Sequence, residues 1–441
     1  MSALREAPGR LGRRTKSTFA SLAVRNYRVY FIGQGISISG TWMQTVALGW
    51  LVLQMTGSGT QVGLMVAIQF LPILILGPFG GMLADRFPKR RILFFTQGAF
   101  ILQQIGLGLI VLAGIQQMWM IYALSFFFGI VNAVDNPTRQ AFVSELVGRD
   151  HIRNAIALNS TQINLGRAVG PSIGAILIAT IGIAWCFLVN GLTTVAVIIA
   201  LSMLDTKQLL PAQAKGRLQP MKQLREAWHY VRANALLWNI LLMAAVIGTF
   251  SYEFQTSLPI FAQFAFASNA AAYSRLWVAF GIGSVIGGLL AAGRKRVAFH
   301  HLVGSAILFG LSMLLVSAMP TLDWAVAGML LVGFFSINFT SLANTLLQLE
   351  TEGAMRGRVM SFWTMAMLGS TPIGGPIVGS IAEYAGARWG IVVGGVAALL
   401  AGLAAASRLL QKKDDRSQTV PASVRTGDLA AEAREEAKFS K

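Results

Sequence analysis

The stretch GGMLADRFPKRR, residues 80–91, decides how this chain is read. A long apolar run reaches Gly80-Gly81 and then meets Asp85, Arg86, Lys89, Arg90 and Arg91 in quick succession. About twenty apolar residues in a helix cross the hydrocarbon core of a bilayer. A run of that length ending in basic charge reads as a transmembrane helix with its stop on one side of the membrane. The leading acid, tucked against two glycines, asks for a separate explanation.

Working outward, the composition supports the same reading. The chain has 441 residues, 54% of them hydrophobic and 12% charged. A soluble domain carries ~25% charged residues, so half the usual supply for a wet surface is missing. The net charge of +18 would suggest nucleic acid in a soluble protein. Here the basic residues lie between apolar runs, where they orient loops, so the expected partner is the lipid bilayer and nucleic acid is not. The single cysteine, Cys186, lies inside an apolar run, which excludes a disulfide framework and a cysteine-based metal site. His151, His229, His300 and His301 lie in or beside basic loops without metal-ligand spacing, so no metal or cofactor is expected. Arg13-Arg14 looks like a twin-arginine signal, but the apolar region that follows is too long and lacks a cleavage site. No glycine precedes a lysine, so a phosphate-binding loop is absent, and the glycines of GIGSVIGG (281–288) fall inside a span as packing residues. The chain is not expected to be an enzyme.

Twelve apolar stretches are expected to span the membrane, near 29–53, 61–84, 92–114, 117–139, 155–180, 184–204, 237–264, 273–293, 299–319, 324–347, 359–383 and 389–408. The domain organisation expected is a basic tail (1–28), a six-helix bundle (29–204), a linker (205–236), a second six-helix bundle (237–409) and a disordered tail (410–441). Within the linker, MKQLREAWHYVRAN reads as an amphipathic helix lying on the membrane surface. Of the 36 Lys and Arg residues, 33 fall in the two tails and alternate loops, leaving Arg275 and Arg388 opposite and Arg167 within a span. That asymmetry places both termini in the cytoplasm.

An internal repeat divides the chain. Gly80-Gly81 precedes Leu83-Ala84 in span two as Gly287-Gly288 precedes Leu290-Ala291 in span eight. Gly129 in span four answers Gly333 in span ten, and Gly170-Pro171 in span five answers Gly375-Pro376 in span eleven. Three matches in register imply two copies of a six-helix unit with the same orientation, related by an axis along the membrane normal. The fold class is therefore all-α membrane protein, with twelve transmembrane helices in two parallel-repeat six-helix bundles.

On these residues the chain resembles the major facilitator superfamily. Gly81, Leu83, Asp85, Arg86, Lys89 and Arg90 are similar to its Gly-x-Leu-x-Asp-Arg-x-Gly-Arg-Arg loop, with Pro88 in place of the usual glycine. The segments DNPTRQAFVSEL (135–146) and LNSTQINLGRAVGPSIGAIL (158–177) resemble a branch that includes bacterial enterobactin and macrolide exporters. The resemblance implies that Gly81, Asp85, Arg86, Lys89, Arg90 and Arg139 form a conformational latch, with Asp85 near the start of span eleven. An anion there gains ~0.3–1 kcal/mol from the helix N-terminus. Gly166, Gly170, Pro171 and Gly174 resemble the superfamily's exporter motif, although Ala175 replaces its last glycine. With Gly375, Pro376 and Gly379 they are expected to pack helices closely. The arginine that many proton-driven drug exporters carry four residues before a glycine in span four is absent, since Ser125-Phe126-Phe127-Phe128 precedes Gly129.

Charges inside the spans need a reason, because each costs at least ~2.5–3.5 kcal/mol on insertion scales. Arg167 falls near the midplane of span five, Glu253 in the outer half of span seven, and Asp135 near the inner end of span four. Glu253 is a candidate protonation site or partner for a cationic substrate; Arg167 is a candidate partner for a neighbouring acid or an anionic substrate. Gln34, Gln44, Asn132 and Asn338 are candidate cavity walls. The expected function is export of small amphipathic molecules, siderophore or drug-like, by alternating access with protons as coupling ion. The protein would work as a monomer in a bacterial inner membrane. An importer or facilitator, and a non-transporting membrane sensor, are the alternatives.

Overall fold

A computed structural model of the chain describes residues 19–210, 220–292, 297–352 and 355–418. Among them are twelve helices long and apolar enough to cross a membrane. Spans one to six are Arg25–Thr56, Gly59–Arg86, Lys89–Leu112, Met118–Gly148, Asn154–Thr180 and Ala184–Ser202. Spans seven to twelve are Ala235–Ala265, Ala270–Ala292, Phe299–Ser317, Leu322–Glu350, Arg356–Tyr384 and Ala387–Gln418.

Local chemistry sets the boundaries. Span one ends at Gly57, whose left-handed backbone (φ 64°) closes the helix. The Ser58 side chain then accepts from Gln61 N and caps span two. In the opening stretch the break falls at Phe87, extended (φ −114°, ψ 156°) because the following Pro88 excludes it from helical space. Span three begins immediately after, at Lys89.

Three boundaries differ from the hydropathy reading or sharpen it. Span four continues as helix through Gly148, where φ is 69°, so the segment after Arg139 is a helical extension rather than a loop. The last helix runs to Gln418, into the segment expected to be disordered; the rest of that tail, like the tail up to residue 18, lies outside the described residues. A helix forms within the linker over Pro220–Ala233.

The glycine repeat has the same structural task in both halves. Gly80 of span two lies against the Ala133 backbone of span four, and its counterpart Gly287 against Phe334 and Ile337 of span ten. In return Gly129 packs on Gln69 and Pro72, and Gly333 on the backbone of Phe280 and Ser284. A side chain at any of the four would force the helix pair apart. Span five packs on span one through Gly166, Gly170 and Gly174 against Ile38, Trp42 and Met43. Span eleven packs on span seven through Gly374 against the Thr249 carbonyl. Without a hydrophobic drive between helices in lipid, such close backbone approach supplies the packing energy.

Glycines mark two of the seams along which the halves meet. Span two meets span eleven where Gly59 opposes Gly379 and Gly63 opposes Gly375. Span five meets span eight where a Cβ on Gly281 would come within 2.8 Å of Ala168 N. The first seam lies at the face opposite the basic loops, since Gly59 begins span two there and Arg86 ends it.

Candidate functional site

Near the midplane, residues of both halves gather around Arg167. Its guanidinium lies 4.8 Å from the centre of the Trp42 ring in span one. Trp42 reaches across to Trp277 of span eight, with ring centres 5.3 Å apart. Trp277 is edge-on to Phe254 and Phe280, at 6.3 and 5.7 Å. The Tyr252 phenol is the titratable neighbour of Arg167 across the seam. Its hydroxyl donates to the Ser336 carbonyl at 2.9 Å. Arg167 is half-buried and forms no hydrogen bond or ion pair with any described residue, and its Nε is fully buried. No carboxylate among the described residues answers it.

Glu253 occupies a break in span seven. The helix stops at Phe250, Ser251 to Glu253 are irregular, and a short helix Phe254–Ile260 follows, ending in a π-helical turn, Phe261–Ala265. The break sends neighbouring side chains to different partners. Tyr252 turns to spans nine and ten, against Phe309 and Ser336. Phe254 turns to Phe280 of span eight. Glu253 turns to span eleven: Oε1 lies 3.0 Å from the position a Cβ would take on Gly374, and Oε2 3.5 Å from that of Gly375. The side chain is 3% exposed, beside Thr371, and Oε1 has no hydrogen-bond partner. It is packed inside the seam and does not meet Arg167.

At the face opposite the basic loops another carboxylate joins the two halves. Glu383 of span eleven accepts from Ser58 Oγ at 2.6 Å and from Thr60 N at 2.9 Å, capping span two from the other half. Thr60 Oγ1 lies 3.1 Å from Ser380 Oγ beside it.

At the basic face the latch residues separate into two groups. Asp85 is exposed and has no partner among the described residues, and Arg86 lies over the adjacent Phe87 ring. Gly81 has open space around it. Lys89 instead forms a buried ion pair with Glu145 of span four at 2.7 Å, and Arg90 donates to the Leu201 carbonyl at 2.8 Å. Arg139, grouped with Asp85 on sequence, pairs with Asp135 one helical turn before it. Asp135 also accepts from Thr96 Oγ1 at 2.7 Å and Gln97 Nε2 at 2.8 Å, and is 1% exposed. Arg139 donates onward to Gln34 Oε1 at 2.8 Å, and Gln34 to the Tyr30 hydroxyl at 3.2 Å. These residues tie spans one, three and four together inside one half.

The remaining candidates divide similarly. Gln44 is buried, accepting from Asn190 at 2.8 Å, so it and Gln34 are interior linkers rather than cavity walls. Asn338 is buried, donating to its own helix at Phe334. Asn132 is half-buried. Outside these clusters, a cleft of about 540 Å³ opens between spans five, eight and ten, bordered by Ser172, Ser274, Arg275 and Asp323. Sequence reasoning missed Glu383, Tyr252 and Trp277. Glu383 sits at a span end, where an acid draws no notice; the aromatics have no spacing that sets them apart from packing residues.

Known proteins share this architecture. Residues 16–436 match the family model of transmembrane secretion effectors within the major facilitator superfamily. The enterobactin exporter EntS of Shigella boydii serotype 18 is 28% identical over 383 residues, covering 85% of this chain and 91% of that protein. The enterobactin exporter EntS of Escherichia coli O1:K1 is 28% identical over 388 residues, with the same coverage. Among solved structures, a bacterial homologue of the human lysosomal transporter Spinster, inward-facing and unoccupied, superimposes with a TM-score of 0.68 at 15% identity. It covers 87% of this chain and 98% of that one. The nucleoside transporter NupG gives 0.70 at 10% identity over 87% and 99% of the two chains. These structural likenesses establish the fold.

Proposed function

Because the chain belongs to the transmembrane secretion effector family of the major facilitator superfamily, a family of membrane transporters and not enzymes, we propose that it exports small amphipathic organic molecules by proton-coupled alternating access. The relatives named as enterobactin exporters favour a siderophore or a drug-like molecule of similar size. The basic face is the cytoplasmic one on this reading, since basic loops are retained inside.

The observation that carries the proposal is the unequal state of two carboxylates on one helix pair. At one end of the span two–span eleven seam, Glu383 caps the start of span two. At the other, Asp85 ends span two exposed and unpartnered among the described residues, on the side where span eleven begins at Arg356. With the outer cap made and the inner one open, the protein is in one end state of an alternating cycle, open to the cytoplasm. In the other state Asp85 caps span eleven and the Glu383 contact breaks. Gly81 and Arg86 belong to this latch; Lys89, Arg90 and Arg139 brace the half that carries it.

Glu253 is the coupling group in this scheme. It lies where span seven breaks against Gly374 and Gly375, so a proton gained or lost there acts on the packing of span eleven. Asp135 is held by three donors and serves the bracing.

The test is uptake into inverted membrane vesicles of a panel of siderophores and antibiotics, with and without a proton gradient. Gradient-dependent accumulation, lost in Asp85→Asn, supports the exporter. Facilitated exchange indifferent to the gradient would replace it with a facilitator, and no transport by correctly folded protein would favour a sensor.

A further inference from the structure

We infer that the substrate is an organic anion whose charge adjoins an aromatic ring, bound between the halves by Arg167 with Trp42 and Tyr252, and Trp277 packed behind Trp42. This rests on the transporter reading above and names the class of molecule it carries. On sequence alone Arg167 and Glu253 pull toward opposite substrate charges. Their surroundings separate them.

Glu253 is sealed in the seam against Gly374 and Gly375, where a cationic group larger than a proton has no room. Three other arginines inside or at the ends of spans are engaged. Arg139 pairs with Asp135, Arg275 with Asp323, and Arg388 donates to the carbonyls of Ser317 and Met319 at 2.6 and 2.7 Å. Arg167 has none of these, although it lies deepest. A guanidinium at the midplane without an acceptor is a site whose acceptor comes from elsewhere.

Its geometry also says what kind of acceptor fits. The guanidinium rests 4.8 Å from the Trp42 ring centre. Stacking on a ring occupies a face and leaves the in-plane N–H edge free for a carboxylate or paired oxygens, the bidentate recognition that arginine supports and lysine does not. The surrounding rings come from both halves: half-buried Trp42 from the first and half-buried Tyr252 from the second, with Trp277, 3% exposed, packed behind Trp42. The Tyr252 hydroxyl is already engaged with Ser336, so it offers its ring. A ligand with a ring next to its charge satisfies the guanidinium and packs on these rings at once. It would also bridge the two halves, which is what a transported molecule must do to influence their rocking.

The test is calorimetric titration of the purified full-length protein in nanodiscs with biphenylcarboxylate, biphenylmethylamine and biphenylmethanol, one shape carrying three charges. The carboxylate should bind at least tenfold more tightly than either counterpart. Arg167→Gln should remove that preference, and Arg167→Lys should retain part of it, since charge survives but the fork does not. Trp277→Phe should weaken all three probes alike. Equal binding of the three probes to the wild type, tighter binding of the amine, or no binding of the carboxylate would each overturn the inference, and none requires a variant to fold. Because no gradient or transport is involved, the two readings fail separately. Anion binding without vesicle transport sinks the exporter, whereas transport of cations without anion binding sinks only this assignment.

Discussion

Glu253 and Asp135 are both acids almost completely buried within spans, yet one is fully partnered and the other is not. Asp135 accepts from Thr96, Gln97 and Arg139, and so holds three elements of one half. Asp135→Ala would strand Arg139 without its counter-charge, and breaking a buried pair on one side costs ~3–5 kcal/mol. A large fall in the thermal midpoint of purified protein, shared by Asp135→Asn because the neutral amide also removes the counter-charge, is the expected result. Glu253 has an oxygen without any partner, so Glu253→Gln should leave stability nearly unchanged. It should abolish gradient-driven accumulation while sparing counterflow, because the neutral amide mimics one protonation state permanently. Counterflow lost along with drive would mean that Glu253 shapes the helix break and does not couple. Both acids are visible in the sequence as charges inside apolar runs. Their partners are not, because which residues of a neighbouring helix face an acid depends on how the helices are rotated. The same reason hides the ties of Gln34 and Gln44, which read as cavity walls and are interior braces.

At the scale of helices, glycine marks both the joints within a half and the joint that opens in the proposed cycle. Gly80, Gly129, Gly287 and Gly333 lock helix pairs within a half, and their registered spacing makes the repeat legible in the sequence itself. Gly63 and Gly375 lie in the seam between halves, and only the three-dimensional packing distinguishes them from the others. Leucine substitutions should separate the two groups. Gly287→Leu forces a large side chain into a packed pair and should lower stability, overpacking typically costing ~1–3 kcal/mol. Gly63→Leu should instead bias the protein toward the state in which spans two and eleven part. It would raise labelling of a cysteine introduced near Ser58 with little change in thermal midpoint. Equal destabilisation by both substitutions would show that the seam does not open. Helix ends are the least legible feature at this scale. Hydropathy stops where the lipid stops, whereas hydrogen bonding carries span four to Gly148, held outside the apolar run by the Lys89–Glu145 pair.

For the whole molecule, the twelve spans, the duplication and the side of the basic loops can all be read from patterns of apolarity, glycine and charge. The state in which the two halves rest cannot, because one sequence must support both arrangements within a few kcal/mol of each other. Asp85 illustrates this: its motif resembles the superfamily's loop, but its exposure, which the proposed open inner end requires, depends on how the halves are packed. The reciprocal caps proposed for Glu383 and Asp85 make the seam between spans two and eleven a lever with one closed end at a time. Locking either end should therefore stop transport altogether. Cys186 is buried and the sole cysteine, so Cys186→Ser gives a background for paired substitutions. In that background Thr60→Cys with Ser380→Cys replaces hydroxyls 3.1 Å apart on opposite halves. A short bifunctional thiol reagent with a reducible link should join them readily, abolish vesicle uptake, and release it again on reduction. Protein cross-linked to completion that still transports would show that this end need not open, and alternating access about this seam would then be wrong. The complementary shift belongs to Glu383→Ala, whose carboxylate is exposed and screened, so its loss weakens the outer cap by only ~1 kcal/mol. That corresponds to about a fivefold shift of population toward the outward-open form. It should be read as faster modification of a single Thr60→Cys by a membrane-impermeant thiol reagent, and Asp85→Asn should move the same rate in the opposite direction.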